Sequence, residues 1–110
     1  MSQDRQHFGH VIDGDEVDSV DGLTFDVWNP WTQEVWADAA EGGPDDAARA
    51  VASSRRAFDE GDWPRLGRAE RAKAIHRLAD VMEARTDELA TADATDMGKP
   101  LAQAQHDVGR

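Results

Sequence analysis

The chain has 110 residues, room for about one small domain, and 18 of its hydrophobic residues are alanine, so the 25 larger ones leave a core that is marginal against the entropy of ordering the backbone. Lys and Arg number 12 against 23 Asp and Glu, a net charge of −11 that argues against a nucleic-acid partner, and the absence of cysteine removes any disulfide framework or thiol chemistry from these residues. No apolar run approaches the about 20 residues of a membrane-spanning helix.

The acidity is uneven. Residues 1–46 hold every acid of the excess, with Arg5 as their one base, whereas residues 47–110 are balanced. Lysine occurs only as Lys73 and Lys99. This bias is what a soluble protein in a high-salt cytoplasm needs, because screening weakens self-repulsion there. The polar first ten residues carry no signal-peptide pattern, so a cytoplasmic location is expected. Residues 1–9 read as a disordered tail.

From residue 10 onward the pattern becomes regular. "HVIDGDEVDS" reads as strand, tight turn, strand, because Asp13-Gly14 suits the positive φ that a type I′ turn requires at both positions. In "LTFDVWNP" Phe25 and Val27 alternate with Thr24 and Asp26, the period of a half-buried strand, and Asn29-Pro30 ends it. "EVWADAA" resumes the alternation at Val35, Ala37 and Ala39. Residues 10–40 are thus expected to form short antiparallel strands with a turn at 29–34.

Gly43-Pro44 opens a helix, with Asp45 and Asp46 at the positive end of its dipole. Ala47, Ala50, Val51, Ser54, Ala57 and Phe58 fall on one face. The helix is expected over 44–60, followed by a loop and a second helix over 68–84 with Ala72, Ile75, Ala79 and Met82 in a stripe. Thr86 suits the N-cap of a third helix over 86–97, Gly98 stops it, and Pro100 prevents its resumption. A fourth helical pattern runs over 101–110 through Leu101, Ala104, Gln105 and Val108, without a closing cap, and reads as interrupted. The sum is an α/β arrangement of hairpins followed by three to four helices.

Few residues are placed for chemistry. His7, His10, His76 and His106 are possible ligands or bases, but only the first two are close in sequence and no matched acid frames them, which weighs against a metal site. No phosphate-binding glycine motif occurs, and the acids after Gly42-Gly43 already occupy that helix end. Trp28, Trp31 and Trp36 crowd the Asn29-Pro30 step. An aromatic binding platform would need basic neighbours, whereas Asp26, Glu34 and Asp38 surround them, so packing against further protein surface is the better reading. Asp96 is misplaced: it lies in the last turn of a helix, against the negative end of the dipole. It is either a solvated acid or the partner of a cation.

The run "HVIDGDEVDS…GLTFDVWNPWTQEV", then the alanine-rich helix and "FDEGDWPRLGRAERAKAIHRLADVMEARTDELATADATDMGKP", resembles the N-terminal part of the aldehyde dehydrogenase superfamily. The markers are the strand before Asn29-Pro30, the series Trp63, Glu70, Arg71 and Leu78, and the closing Asp96-Met97-Gly98-Lys99-Pro100. The resemblance implies that residues 10–110 are an incomplete N-terminal part of a cofactor-binding domain. It implies oxidation of aldehydes to carboxylic acids with NAD or NADP, by thiolate attack, hydride transfer and thioester hydrolysis. Nothing here matches the family's nucleophilic cysteine, general-base glutamate or cofactor loop, so no catalytic residue and no bound cofactor is expected in this chain. It implies a monovalent cation, K⁺ or Na⁺, at the carbonyls of Val27 and Trp28 and the carboxylate of Asp96. The implied partner is the remainder of an aldehyde dehydrogenase chain, or a full-length relative on which this chain docks as a non-catalytic module; the family is usually homo-oligomeric. Trp31 departs from the small residue usual at its position, and Gln33 from the glycine common in that turn. A stand-alone acidic domain of unrelated function is the remaining alternative.

Overall fold

The computed structural model describes residues 5–110. They form five strands, one 3₁₀ turn and four helices: β1 (Gln6–Phe8), β2 (His10–Ile12), β3 (Asp15–Val17), β4 (Thr24–Asn29), β5 (Glu34–Ala40), α1 (Pro44–Asp59), the 3₁₀ turn Trp63–Arg65, α2 (Arg68–Ala84), α3 (Thr86–Met97) and α4 (Leu101–Val108). The chain divides into two compact units. The first comprises residues up to Trp28 and Val35–Arg65; the second comprises Asn29–Glu34 and Leu66–Arg110.

In the first unit, β2 and β3 pair antiparallel, His10 opposite Val17 and Ile12 opposite Asp15. Asp13 (φ 57°) and Gly14 (φ 84°) turn the chain between them, as the Asp-Gly pair requires. A three-stranded sheet runs in the order β1-β5-β4. β1 pairs parallel with β5, Gln6 opposite Ala37 and Phe8 opposite Ala39. Residues 6–8 fall inside the stretch expected to be a tail, of which residues 1–4 lie outside the described residues; β1 is ordered because β5 offers it a free edge and Trp36 a surface. The Phe8 ring meets Trp36 edge-on, centroids 5.9 Å apart. This strand also departs from the purely antiparallel expectation.

α1 begins where Pro44 permits it, at the first helical position. Arg65 closes its far end by donating to the carbonyls of Asp59, Glu60 and Gly61. Arg55 lies along α1 with both donors on Asp59, at 2.8 Å each.

In the second unit, α3 packs on α2 and on α4. α2 passes into α3 through Arg85 alone. Thr86 is not an N-cap: it is the first residue of α3, and its hydroxyl donates back to the carbonyl of Glu83 at 2.8 Å. With one residue between the helices, Thr86 satisfies the outgoing end of α2 instead of the incoming end of α3.

The buried apolar residues among those described are all alanines: Ala37 and Ala40 in β5, Ala90 in α3 and Ala104 in α4. Among the described residues no large side chain is fully buried. The stripes read from the sequence do form, but their faces lie open. Val51 on α1 is 68% exposed, Ile75 on α2 is 55% exposed, and α2 buries no residue at all. Monomeric proteins rarely leave apolar faces of this extent to water.

Candidate functional site

The first unit contains a buried carboxylate. Asp46, third in α1, turns back on the helix start: its Oδ2 accepts the Gly43 N–H at 3.0 Å, and its Oδ1 accepts the Val20 N–H at 2.9 Å. One side chain thus caps α1 and fastens the loop after β3. The Gly43 and Val20 amides hold its carboxyl below the usual range. In the same loop the Ser19 hydroxyl accepts the Leu23 N–H at 3.0 Å. A second tie joins the β2–β3 turn to α1: Asp13 accepts from Ser53 at 2.6 Å and from Arg56 at 2.7 Å, and the Ser53 hydroxyl leads in lowering its pKa.

The second unit contains a corner built from two of the sequence markers. Gly98 ends α3 in the left-handed region (φ 75°), its N–H on the Ala94 carbonyl at 2.9 Å. The Pro30 ring lies against it: a Cβ on Gly98 would meet Pro30 Cγ at 2.9 Å. Asn29 shapes the turn from the other side, its Oδ1 accepting the Trp31 N–H at 2.9 Å and the Thr32 N–H at 3.2 Å. Gln33 completes it in the left-handed region (φ 61°). Trp31, 85% exposed, stands over a cavity of about 550 Å³ lined also by Thr95, Gly98, Pro100 and Leu101.

Lys99 lies beside the same corner and binds Asp93 at 2.6 Å and Asp107 at 3.0 Å, so that α3 and α4 share one ammonium. Asp93 first and Asp107 second raise its pKa, and Lys99 with Gln103 lowers that of Asp107. Sequence reading missed this clamp, because separations of six and eight residues across a helix break match no periodicity.

Of the residues expected at a cation site, Val27 and Trp28 lie in β4 in the first unit, and Asp96 lies one residue before the end of α3 in the second. Asp96 is exposed and has no ion pair among the described residues. Among the described residues no three or more His, Asp or Glu side chains are arranged so that they could hold one metal ion. His76 lies in α2 and His106 in α4. His10 in β2 stands 4.0 Å from Asp46 Oδ1. Contrary to the sequence reading, His7 is framed by acids, Asp38 and Asp18, brought from 31 and 11 residues away.

Comparison with known proteins gives this architecture a family. The sequence profile of the aldehyde dehydrogenase family matches residues 17–110. The chain is 46% identical over 93 residues to a mitochondrial benzaldehyde dehydrogenase of Antirrhinum majus, a match that covers 84% of this chain and 17% of that protein. It is 36% identical over 97 residues to the betaine aldehyde dehydrogenase of Bacillus subtilis, covering 88% of this chain and 20% of that one. Its fold superposes on an NAD-dependent aldehyde dehydrogenase from Sinorhizobium meliloti with a TM-score of 0.91 at 39% identity, over 96% of this chain and 21% of that one. The chain belongs to the aldehyde dehydrogenase family. It spans about a fifth of the length of the relatives it matches, and its strands and four helices are those of the N-terminal portion of that fold.

Proposed function

We propose that these residues form the N-terminal segment of an enzyme that oxidises aldehydes to carboxylic acids with NAD or NADP, and that their part in it is architectural. The carrying observation is the open apolar face of α2 in a chain that matches only the first part of its relatives. Such a face is stable when a further layer covers it. Bound NAD(P) would accept the hydride. The described residues include no thiol to attack the aldehyde and no glycine-rich cofactor loop. The family match supports the dehydrogenase activity, and the acidic composition supports a salt-rich cytoplasm as its setting.

Asp96, exposed at the negative end of α3 with no ion pair among the described residues, supports a monovalent cation, K⁺ or Na⁺, in the complete enzyme, with the carbonyls of Val27 and Trp28 as the further ligands that the resemblance implies. Asp96 would supply its charge, and the two carbonyls would replace part of its water shell.

The test is reconstitution. The chain alone is expected to give no aldehyde-dependent reduction of NAD or NADP. Joined in frame to the remaining four-fifths or so of a bacterial relative, it is expected to give turnover. Turnover by the pure chain alone, or an inactive but folded fusion, would overturn the reading. Binding of the chain to an intact full-length relative would instead support the docking-module alternative.

A further inference from the structure

We propose that His7 is a proton-dependent clasp that holds β1 against the edge of β5 and lets it go as the ring loses its charge. Both nitrogens of the His7 ring are engaged by carboxylates. Nδ1 meets Asp38 Oδ1 on β5, the residue directly opposite His7 in the parallel register. Nε2 meets Asp18 Oδ1, in the loop after β3, at 2.8 Å. An ionised carboxylate only accepts hydrogen bonds, and a neutral imidazole donates from one nitrogen alone. The arrangement is therefore complete only when the ring is protonated and donates at both ends. A neutral ring must present a lone pair to one of the two carboxylates.

The surroundings bias the ring the same way. The other residues lining the adjacent cavity of about 310 Å³ are Ser19, Gly22, Leu23, Thr24 and Ala40, none of them charged. The nearest base along the chain, Arg5, is turned to Asp26 of β4 at 3.3 Å. Glu16 of β3 is occupied by the Gly9 N–H at 2.7 Å, and His10 of β2 faces Asp46 of α1. Asp38 first, then Asp18, raises the His7 pKa above its ordinary value. A group whose folded pKa is raised adds stability that is complete below its unfolded value, about 6.5, and is lost as pH climbs through the higher folded value. Release therefore falls on the alkaline side of 6.5.

Beyond the clasp, β1 is held by its short ladder with β5 and by one tie at each end, Arg5 on Asp26 and the Gly9 N–H on Glu16. It is three residues long, and its one aromatic contact is Phe8 on Trp36. That contact is also the reporter: Trp36 senses whether β1 is seated.

The experiment uses the full 110-residue chain labelled with 5-fluorotryptophan, in potassium chloride concentrated enough for its helical circular dichroism to be complete, with ¹⁹F resonances assigned by single Trp→Phe variants, alongside the ring-proton titration of His7. The Trp36 resonance is expected to move with the His7 midpoint, which lies above that of a free imidazole. Amide protection across Gln6–Phe8, corrected for intrinsic exchange, is expected to fall about threefold or more over the same range, the scale of an exposed charged pair. Asp38→Asn and Asp18→Asn should each lower the midpoint. Over the range in which His7 titrates, His7→Gln should leave Trp36 flat, and His7→Arg, charged throughout, should keep β1 seated. A His7 midpoint at or below the ordinary value, a Trp36 titration that survives His7→Gln, or a Trp36 resonance indifferent to the His7 titration would each overturn the proposal.

Discussion

Gly98 lies under the ring of Pro30, so near that a single methyl group on Gly98 would stand 2.9 Å from Pro30 Cγ. Two demands fall on that glycine at once, a left-handed backbone and the absence of a side chain. Gly98→Ala is expected to cost about 1–2 kcal/mol from the backbone conformation alone, with the clash adding to it. In the double variant Gly98→Ala with Pro30→Ala, the clash part should return and the backbone part should remain. Chemical denaturation of the four proteins measures the coupling; strict additivity would mean the ring and the glycine are independent.

Gln33 presents the opposite case, a non-glycine residue held at φ 61°. Its side chain donates to the Pro30 carbonyl at 2.7 Å, a partial compensation on the surface. Gln33→Gly is expected to stabilise the chain by about 0.5–1 kcal/mol, the left-handed strain released exceeding the exposed hydrogen bond lost. Gln33→Val should destabilise it. Melting curves of the wild type and the two variants decide, and a less stable glycine variant would show that the side-chain bond dominates.

Asp46→Ala strips acceptors from two backbone N–H groups and is expected to lower the melting temperature by about 4–8 °C at neutral pH. Asp46→Asn, which keeps an acceptor, should lose less. The Asp46 carboxyl is held below its ordinary value, so its contribution is present above about pH 3.9 and fades as pH falls through the depressed folded value. The gap between wild type and Asp46→Ala should close on acidification through that range.

In the complete enzyme, Asp96→Ala should lower the melting temperature in potassium or sodium chloride more than in choline chloride, because a bound cation stabilises by mass action and a bulky one does not enter. Equal losses in all three salts would reduce Asp96 to a solvated surface acid.

The charge of −11, and alanines as the buried apolar residues among those described, lead to a further expectation for the chain by itself. Helical circular dichroism should be weak in dilute buffer and rise toward molar potassium chloride, where the screening length falls to about 3 Å. Cooperative folding in dilute buffer would count against this reading.

What could be read in advance depended on how local its cause was. Asp13-Gly14 and Gly98 were legible because positive φ is a property of one or two residues. The start of α1 and the break at Pro100 followed from equally local rules. β1 was not legible, since three residues carry no period and their partner lies in β5. The role of Thr86 was misread because a hydroxyl at a helix junction can serve either side, and only the length of the junction decides which. At the candidate site, Asp96 stood out by its conflict with the helix dipole. Lys99 acquired both of its acids, and Asp46 the Val20 amide, from folding alone.

The parallel pairing of β1 with β5 also orders events in time. Gln6 and Ala37 are joined across the whole β2–β4 segment, whereas β2 meets β3 across a two-residue turn. Closing a loop of that length must precede any pairing at the far edge, and parallel strands have no short turn from which to zip. The β2–β3 hairpin can form within microseconds of its residues being free. β1 has to wait until β5 exists as an edge. The first of the described strands is thus among the last to be laid down and, as unfolding retraces the same steps, one of the first to be given up.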